Sequence, residues 1–251
     1  MEFIFSQCSD KGKVRDQNED FHGHASNPYI DAHIFCVADG MGGYGAGDIA
    51  SKSVINSVTT EFKNIKRFTA GAIKDSIASL FHTAQQELAS IRQSKGKTMM
   101  GTTLAILVFY ERLVISANVG DTRIYCFDGQ ELKQLSYDHT VVNEMLNNKT
   151  ITPEQAILHP KKHILTKALT GEDNRVEPHI NILTHFDHNI YLICTDGLYN
   201  MVNDNFLRIR LKGSSIFEAK DQLLKEVYVN GARDNVTFQI IKAFDNEATI
   251  A

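Results

Sequence analysis

Proline and cysteine are both scarce, with four of each in 251 residues. The prolines are scattered, and no Pro-, Ser- or charge-rich stretch interrupts the apolar segments, which argues against a linker between independent domains. No repeat recurs at a period of 20 to 50 residues. Cys8, Cys36, Cys126 and Cys194 form no C-x-x-C pair, and three of them sit inside apolar runs. A zinc or redox motif is thereby excluded, and reduced core thiols are expected. Long hydrophobic runs are missing too. No stretch approaches about 18 apolar residues, and Met1–Ser6 has no basic region followed by an apolar one, so neither a membrane span nor a secretion signal is expected. Excess positive charge is also lacking: the net charge is −4, which disfavours nucleic acid and anionic membrane as partners. The short basic stretches Lys11 to Arg15 and Lys161-Lys162 can still meet phosphate locally. The expectation is a cytoplasmic protein with one domain over residues 1–251, acting as a monomer.

What is present is a substantial core, with 43% hydrophobic residues. Runs rich in Val, Ile, Phe and Tyr predict strands near 33–38, 103–110, 113–119, 123–127, 190–195 and 236–244. Glu111-Arg112 and Asp128-Gly129 join neighbouring runs tightly, so much of the sheet structure is antiparallel. Asp128-Gly129 reads as a type I′ hairpin turn between Arg123–Phe127 and Glu131–Leu135. Helical spacing appears at 46–65, 71–94 and 214–229, with a shorter helix at Thr140–Asn147. The segment from Asn148 to Gly171 carries Thr152-Pro153-Glu154, a helix start, and then His159-Pro160. It reads as a short surface excursion. The fold class is α+β, with helices packed outside the sheets.

Three Asp-Gly pairs occur, in different surroundings. Asp128-Gly129 lies between half-polar strands and is a turn. Asp39-Gly40 and Asp196-Gly197 instead follow the continuous apolar runs Phe35–Ala38 and Ile190–Cys194, which places a carboxylate at the mouth of a buried strand. Asp121 closes Ser116–Gly120, and Asp234 stands just before the last strand. Carboxylates that converge in a core repel one another unless cations neutralise them. All-oxygen ligands suit hard ions, so magnesium or manganese is expected rather than zinc or copper. The segment Ser9 to Asp20 is dense in charge. Arg15 stands out there because a guanidinium fork can hold phosphate oxygens, and Glu19 and Asp20 can add carboxylates to the cluster.

Other chemistries are tested by spacing. Gly40-Met41-Gly42-Gly43-Tyr44-Gly45 fits G-x-G-x-x-G, with Glu61 about 20 residues on, as in a dinucleotide-binding loop. Asp39 would set a negative charge beside the pyrophosphate, and residues 46 to 61 read as one helix with no second strand, so this reading is rejected. Cys8 and Arg15 are one residue too far apart for a cysteine-phosphatase loop. No G-x-x-x-x-G-K-[ST], G-x-S-x-G or H-E-x-x-H is present. His159 and His163 are spaced four apart, but Pro160 disfavours the helix that would align them on zinc.

The ordered motifs Ser9-Asp10-x-Gly12-x-Val14-Arg15-x-x-Asn18-Glu19-Asp20, Val37–Gly43, Gly101-Thr102-Thr103, Asn118–Arg123, Thr195–Leu198 and Asp234–Thr237 resemble those of the metal-dependent type 2C (PPM) protein phosphatases, bacterial branch. The match runs from about residue 6 to 244. It implies a four-layer α-β-β-α sandwich of two mostly antiparallel sheets. It also implies a binuclear Mn2+ or Mg2+ centre that hydrolyses phosphoserine and phosphothreonine in proteins by direct attack of a metal-bridging water. By position, Asp39 would bridge the metals, the Gly40 carbonyl would bind one, and Asp196 and Asp234 would complete the first site. Asp20, and less surely Glu19, would support the second. Asp121 with Asp196 would form a third, weaker position, and Arg15 would hold the substrate phosphate. Residues 138–171 match the family's flap, and a cognate Ser/Thr kinase would supply the phosphorylated substrates. One departure is Met41, where eukaryotic members commonly carry a histidine thought to protonate the leaving group. Methionine cannot donate a proton, so the leaving-group proton would have to come from elsewhere, such as a metal-bound water, and His22 and His24 are donors only by proximity in sequence.

Overall fold

The computed structural model describes residues 1–43, 45–68, 72–95, 99–172 and 176–244. Tyr44 and the start of the second expected helix lie outside them. Eleven strands form among these residues. β1 (Glu2–Asp10), β11 (Val236–Phe244), β10 (Ile190–Cys194), β7 (Arg123–Phe127) and β8 (Leu132–Gln134) make one sheet in that order. The second runs β2 (Asp20–Asn27), β3 (Ala32–Gly42), β5 (Leu104–Tyr110), β6 (Leu113–Val119) and β9 (His179–Thr184), with β4 (Met100–Thr102) paired to the end of β3. All of these pairings are antiparallel.

Strands buried on both faces have continuously apolar sequences because alternate side chains enter different cores. On β3, Ile34, Cys36 and Ala38 face the helices α1 (Ala46–Asn64) and α2 (Ile73–Lys95). Phe35 and Val37 point the other way, into the space between the sheets, where they meet Tyr191, Ile193 and Ile241. The opposite sheet sends Leu192, Cys194, Phe238 and Ile240 outward onto α6 (Asp204–Gly213) and α7 (Ile216–Val229). The result is the expected α-β-β-α stack. All four cysteines are free thiols, and Cys36 and Cys194 are buried.

Several boundaries differ from expectation. β3 does not stop at Ala38: it continues through Asp39 and Gly40, changing partners from β5 to β4 at that point. The hairpin after β7 is turned on Gly129-Gln130, because Phe127 pairs with Leu132 and Gly129, at φ 93°, is the left-handed residue there. Asp128 instead caps the turn, its Oδ1 accepting from the Gln130 and Glu131 amides at 3.0 and 2.9 Å. β1, β2, β4, β9, α6 and the short α5 (Asp196–Tyr199) were not foreseen. The segment expected to form the flap contains α3 (Val141–Asn147) and α4 (Pro153–Ile157), the latter begun by a Thr152–Gln155 capping box. No helix among the described residues is long and apolar enough to cross a membrane.

Candidate metal centre

Antiparallel pairing brings the acidic residues to one end of the sandwich. Asp20 opens β2 directly across from Asp39 on β3. Asp196 follows β10, and Asp234 precedes its neighbour β11. Asp121 follows β6. A cleft of ≈ 880 Å³ opens there, lined by Arg15, Glu19, Asp39, Gly40, Asp121, Asp196 and Asp234 among others. Seven of the eight site residues expected from the sequence therefore meet in one cavity. Asp20 is buried behind its wall, where its Oδ2 accepts from the Thr195 hydroxyl at 2.9 Å. Glu19, the residue just before β2, lines the cleft, whereas Asp20 is buried.

Glycine makes the approach of these segments possible. A Cβ on Gly40 would lie 2.2 Å from the Gly47 carbonyl oxygen and 2.4 Å from that of Glu19. One on Gly197 would lie 1.9 Å from the Asn235 carbonyl oxygen. The Glu19 carbonyl accepts from both the Gly40 amide, at 3.1 Å, and the Ser51 hydroxyl, at 2.6 Å. The first turn of α1 thus packs against Gly40. Asp39 is fixed through Thr103, whose hydroxyl accepts from the Asp39 amide at 2.9 Å.

The electrostatics are those of an anionic cluster in a poorly solvated site. Burial holds Asp39 protonated well above the usual carboxylate range, and Asp20, Asp196, Asp121 and Asp234 push the same way. Asp196 is raised to about 7 by burial and by Asp121 and Asp234, with Arg15 and Arg123 opposing. Asp121 is raised to about 6, by burial and then by Asp138. Asp20 is raised to about 8 by burial, with Asp196 and Asp234 adding and the Thr195 hydrogen bond opposing. Arg15 donates to Asp234 Oδ2 at 2.8 Å.

Buried carboxylates whose ionised forms are this disfavoured are suited to holding cations. Among the described residues no three His, Cys, Asp or Glu side chains already form a closed ligand set. That suits small hard ions, which keep several waters and take only one or two carboxylates each.

Other residues also line the cleft: Asn200, Met201 and Arg233, which sequence reasoning missed, and Thr103 and Asn235, which lay in recognised motifs without an assigned role. From the flap come Lys162, His163 and Leu165. The Lys161-Lys162 pair was the available signal for that wall. Behind Asp121, the Tyr199 hydroxyl donates to its carbonyl at 3.1 Å. The Arg123 guanidinium lies 3.8 Å over the Tyr199 ring and grips Asp138 at 2.7 and 2.9 Å. His22 and His24 are not part of the cleft wall.

A two-sheet sandwich with an acidic cleft faced by an arginine is the arrangement of one class, the metal-dependent hydrolases of phosphate esters. The protein phosphatase 2C profile matches residues 12–226, and the chain belongs to that family. It is 32% identical over 237 residues to the serine/threonine phosphatase stp of Listeria monocytogenes, covering 93% of each chain. The S. agalactiae serine/threonine phosphatase superimposes with a TM-score of 0.89 at 27% identity, over 97% of this chain and 100% of that one. The catalytic domain of the phosphatase PstP, solved in complex with two manganese ions, gives 0.83 at 28% identity, over 97% and 99%.

Proposed function

We propose that this chain is a cytoplasmic, monomeric, single-domain protein serine/threonine phosphatase that opposes a cognate Ser/Thr kinase. The observation that carries the reading is the convergence of Asp39, Asp121, Asp196 and Asp234, drawn from both sheets, on one cleft that also presents Arg15. Asp39, Gly40, Asp196 and Asp234 would hold two core ions with support from Asp20 and Glu19, and Asp121 with Asp196 offers a third, weaker position. Bound there, Mn2+ or Mg2+ supplies an acidified water and neutralises charge on the phosphoryl group.

The chain's own residues do the rest. Arg15 has further N–H groups beside its bond to Asp234, and these would donate to phosphate oxygens and orient the phosphate. Thr103 and the Glu19 carbonyl hold Asp39-Gly40 in place. The Tyr199, Arg123 and Asp138 chain steadies Asp121. Attack by water directly on phosphorus needs no nucleophilic side chain, and the cleft lining includes no cysteine. The flap, residues 138–171, walls the cleft and sets which phosphorylated segments enter.

The test is phosphate release from a phosphothreonine peptide with added manganese. Release that a chelator abolishes and manganese restores is expected. Release indifferent to the chelator would overturn the reading.

A further inference from the structure

Hydrolysis of a phosphoserine or phosphothreonine ester expels an alkoxide, a poor leaving group unless it is protonated as the P–O bond breaks. Met41 lines the cleft but its thioether has no proton to give. The substrate's own size restricts where a donor can stand. The aspartates form the buried floor, and the leaving oxygen belongs to a protein too large to enter, so it lies on the mouth side of phosphorus. Attack and departure are in line, on opposite faces. The donor must therefore come from the mouth.

The chain has ten histidines, and only His163 lines this cleft. His24 stacks on Phe35 between the sheets, with ring centroids 4.6 Å apart. His139 is buried, and its Nδ1 accepts from the Gly120 amide at 3.2 Å. His159 borders a separate hollow in the flap with Ile151 and Leu158. His163 is exposed at the mouth, yet its segment is anchored. The Ile164 carbonyl accepts from the Val141 amide at 2.9 Å, and the Thr166 amide donates to the His139 carbonyl at 2.8 Å. Of the other mouth groups, Arg15 and Arg233 hold their protons too tightly to act as acids. Histidine is the side chain used most often as a general acid, which favours His163 over its neighbour Lys162.

We propose that His163 is the general acid that protonates the departing serine or threonine oxygen, an inference that rests on the phosphatase reading above. As the bond from phosphorus to that oxygen breaks, the imidazolium N–H passes its proton to the oxygen, which leaves as a hydroxyl. The attacking water contributes its oxygen and one proton to the inorganic phosphate. Its second proton is released to solvent, and the exposed neutral imidazole takes one back.

The experiment compares two leaving groups in the manganese-loaded protein and in His163→Ala and His163→Gln. A phosphothreonine peptide needs the acid; p-nitrophenyl phosphate expels a stable phenolate and does not. In both variants the ratio of peptide kcat to aryl kcat should fall about 100-fold. The peptide KM and manganese binding by calorimetry should stay as in the unaltered protein. An unchanged ratio, whether or not both rates drop, overturns the inference. So does a loss confined to peptide KM, which would make His163 a binding residue. A ratio that falls in Lys162→Ala and not in His163→Ala also overturns it, by assigning the proton to Lys162. An unaltered protein that cleaves neither substrate overturns the phosphatase reading together with this one.

Discussion

Arg15 reaches from the N-terminal loop to Asp234, 219 positions away in the chain, and so stands beside the carboxylates of the cleft. Both partners are partly exposed, at 52% and 34%, so the pair itself adds only about 0–1 kcal/mol to stability. Its value lies in orienting the guanidinium. Arg15→Ala should raise the KM for a phosphothreonine peptide about 10- to 100-fold, the worth of a charge-assisted hydrogen bond. The melting temperature should barely move; steady-state kinetics and a thermal scan check both. At this scale much was legible, because an aspartate after a continuous apolar run is chemically conspicuous. Asn200, Met201 and Arg233 were not, since nothing in their local sequence separates a cleft-lining side chain from an ordinary surface or core one; Thr103 lay inside the Gly101-Thr102-Thr103 motif, but its bond to the Asp39 amide is visible only in the fold. Asn235 lay inside a recognised motif, but its role is tertiary: its side chain holds the Lys11 and Gln17 carbonyls, each at 2.9 Å, and the Glu19 amide, also at 2.9 Å.

Elements assemble the site by packing loops against one another, and Gly12 shows how tight this is. It adopts φ +75°, and a Cβ there would lie 2.3 Å from the Asp234 carbonyl oxygen and 2.8 Å from that of Ala232. Next to it, the Lys13 amide donates to the Ala232 carbonyl at 2.8 Å. Gly12→Ala should push the Arg15 loop off the Asp234 loop. An expected loss of about 1–3 kcal/mol, read by chemical denaturation, should come with weaker manganese binding by calorimetry. An unchanged midpoint would contradict this packing. The long amphipathic helices and doubly buried strands were legible because their period is explicit. β1 and β2 were not: β1 is an edge strand with alternate residues in solvent, and β2 contains two histidines and a glycine. α6 buries only Leu207 and Leu211, a stripe too narrow to announce a helix. The flap helices α3 and α4 were visible through their caps, whereas the ties of the flap to the core were not. Thr102 and Leu169 exchange two backbone hydrogen bonds of 2.9 Å, a contact that only the folded chain creates.

The molecule as a whole concentrates negative charge where its two sheets end. Asp121, Asp196 and Asp20 titrate in the folded protein near 6, 7 and 8 because burial and mutual repulsion disfavour their ionised forms. The unfolded chain releases these protons near pH 4. The folded state therefore binds more protons than the unfolded one between about pH 4 and 8, and metal-free stability falls as pH rises through that window. Cations that replace the protons relieve the repulsion, and they compete best where few protons remain. Manganese should accordingly raise the melting temperature more at pH 8 than at pH 5. Equal increments at the two pH values would contradict an acidic cation site. The layered architecture was legible from the sequence because hairpin turns, apolar runs and helical periods agreed with one another. The depth at which the acids are buried was not, since it depends on how α1 and the β10–β11 ends close over them.

The central claim is that Asp39 holds divalent cations for phosphate hydrolysis. The most direct measurement is manganese-dependent phosphate release from a phosphothreonine peptide by the Asp39→Asn protein. Residues that merely support a metal ligand contribute about 10- to 100-fold, so loss of the ligand itself should lower the rate by more than about 100-fold. A rate equal to that of the unaltered protein, sustained without added metal, would contradict the account.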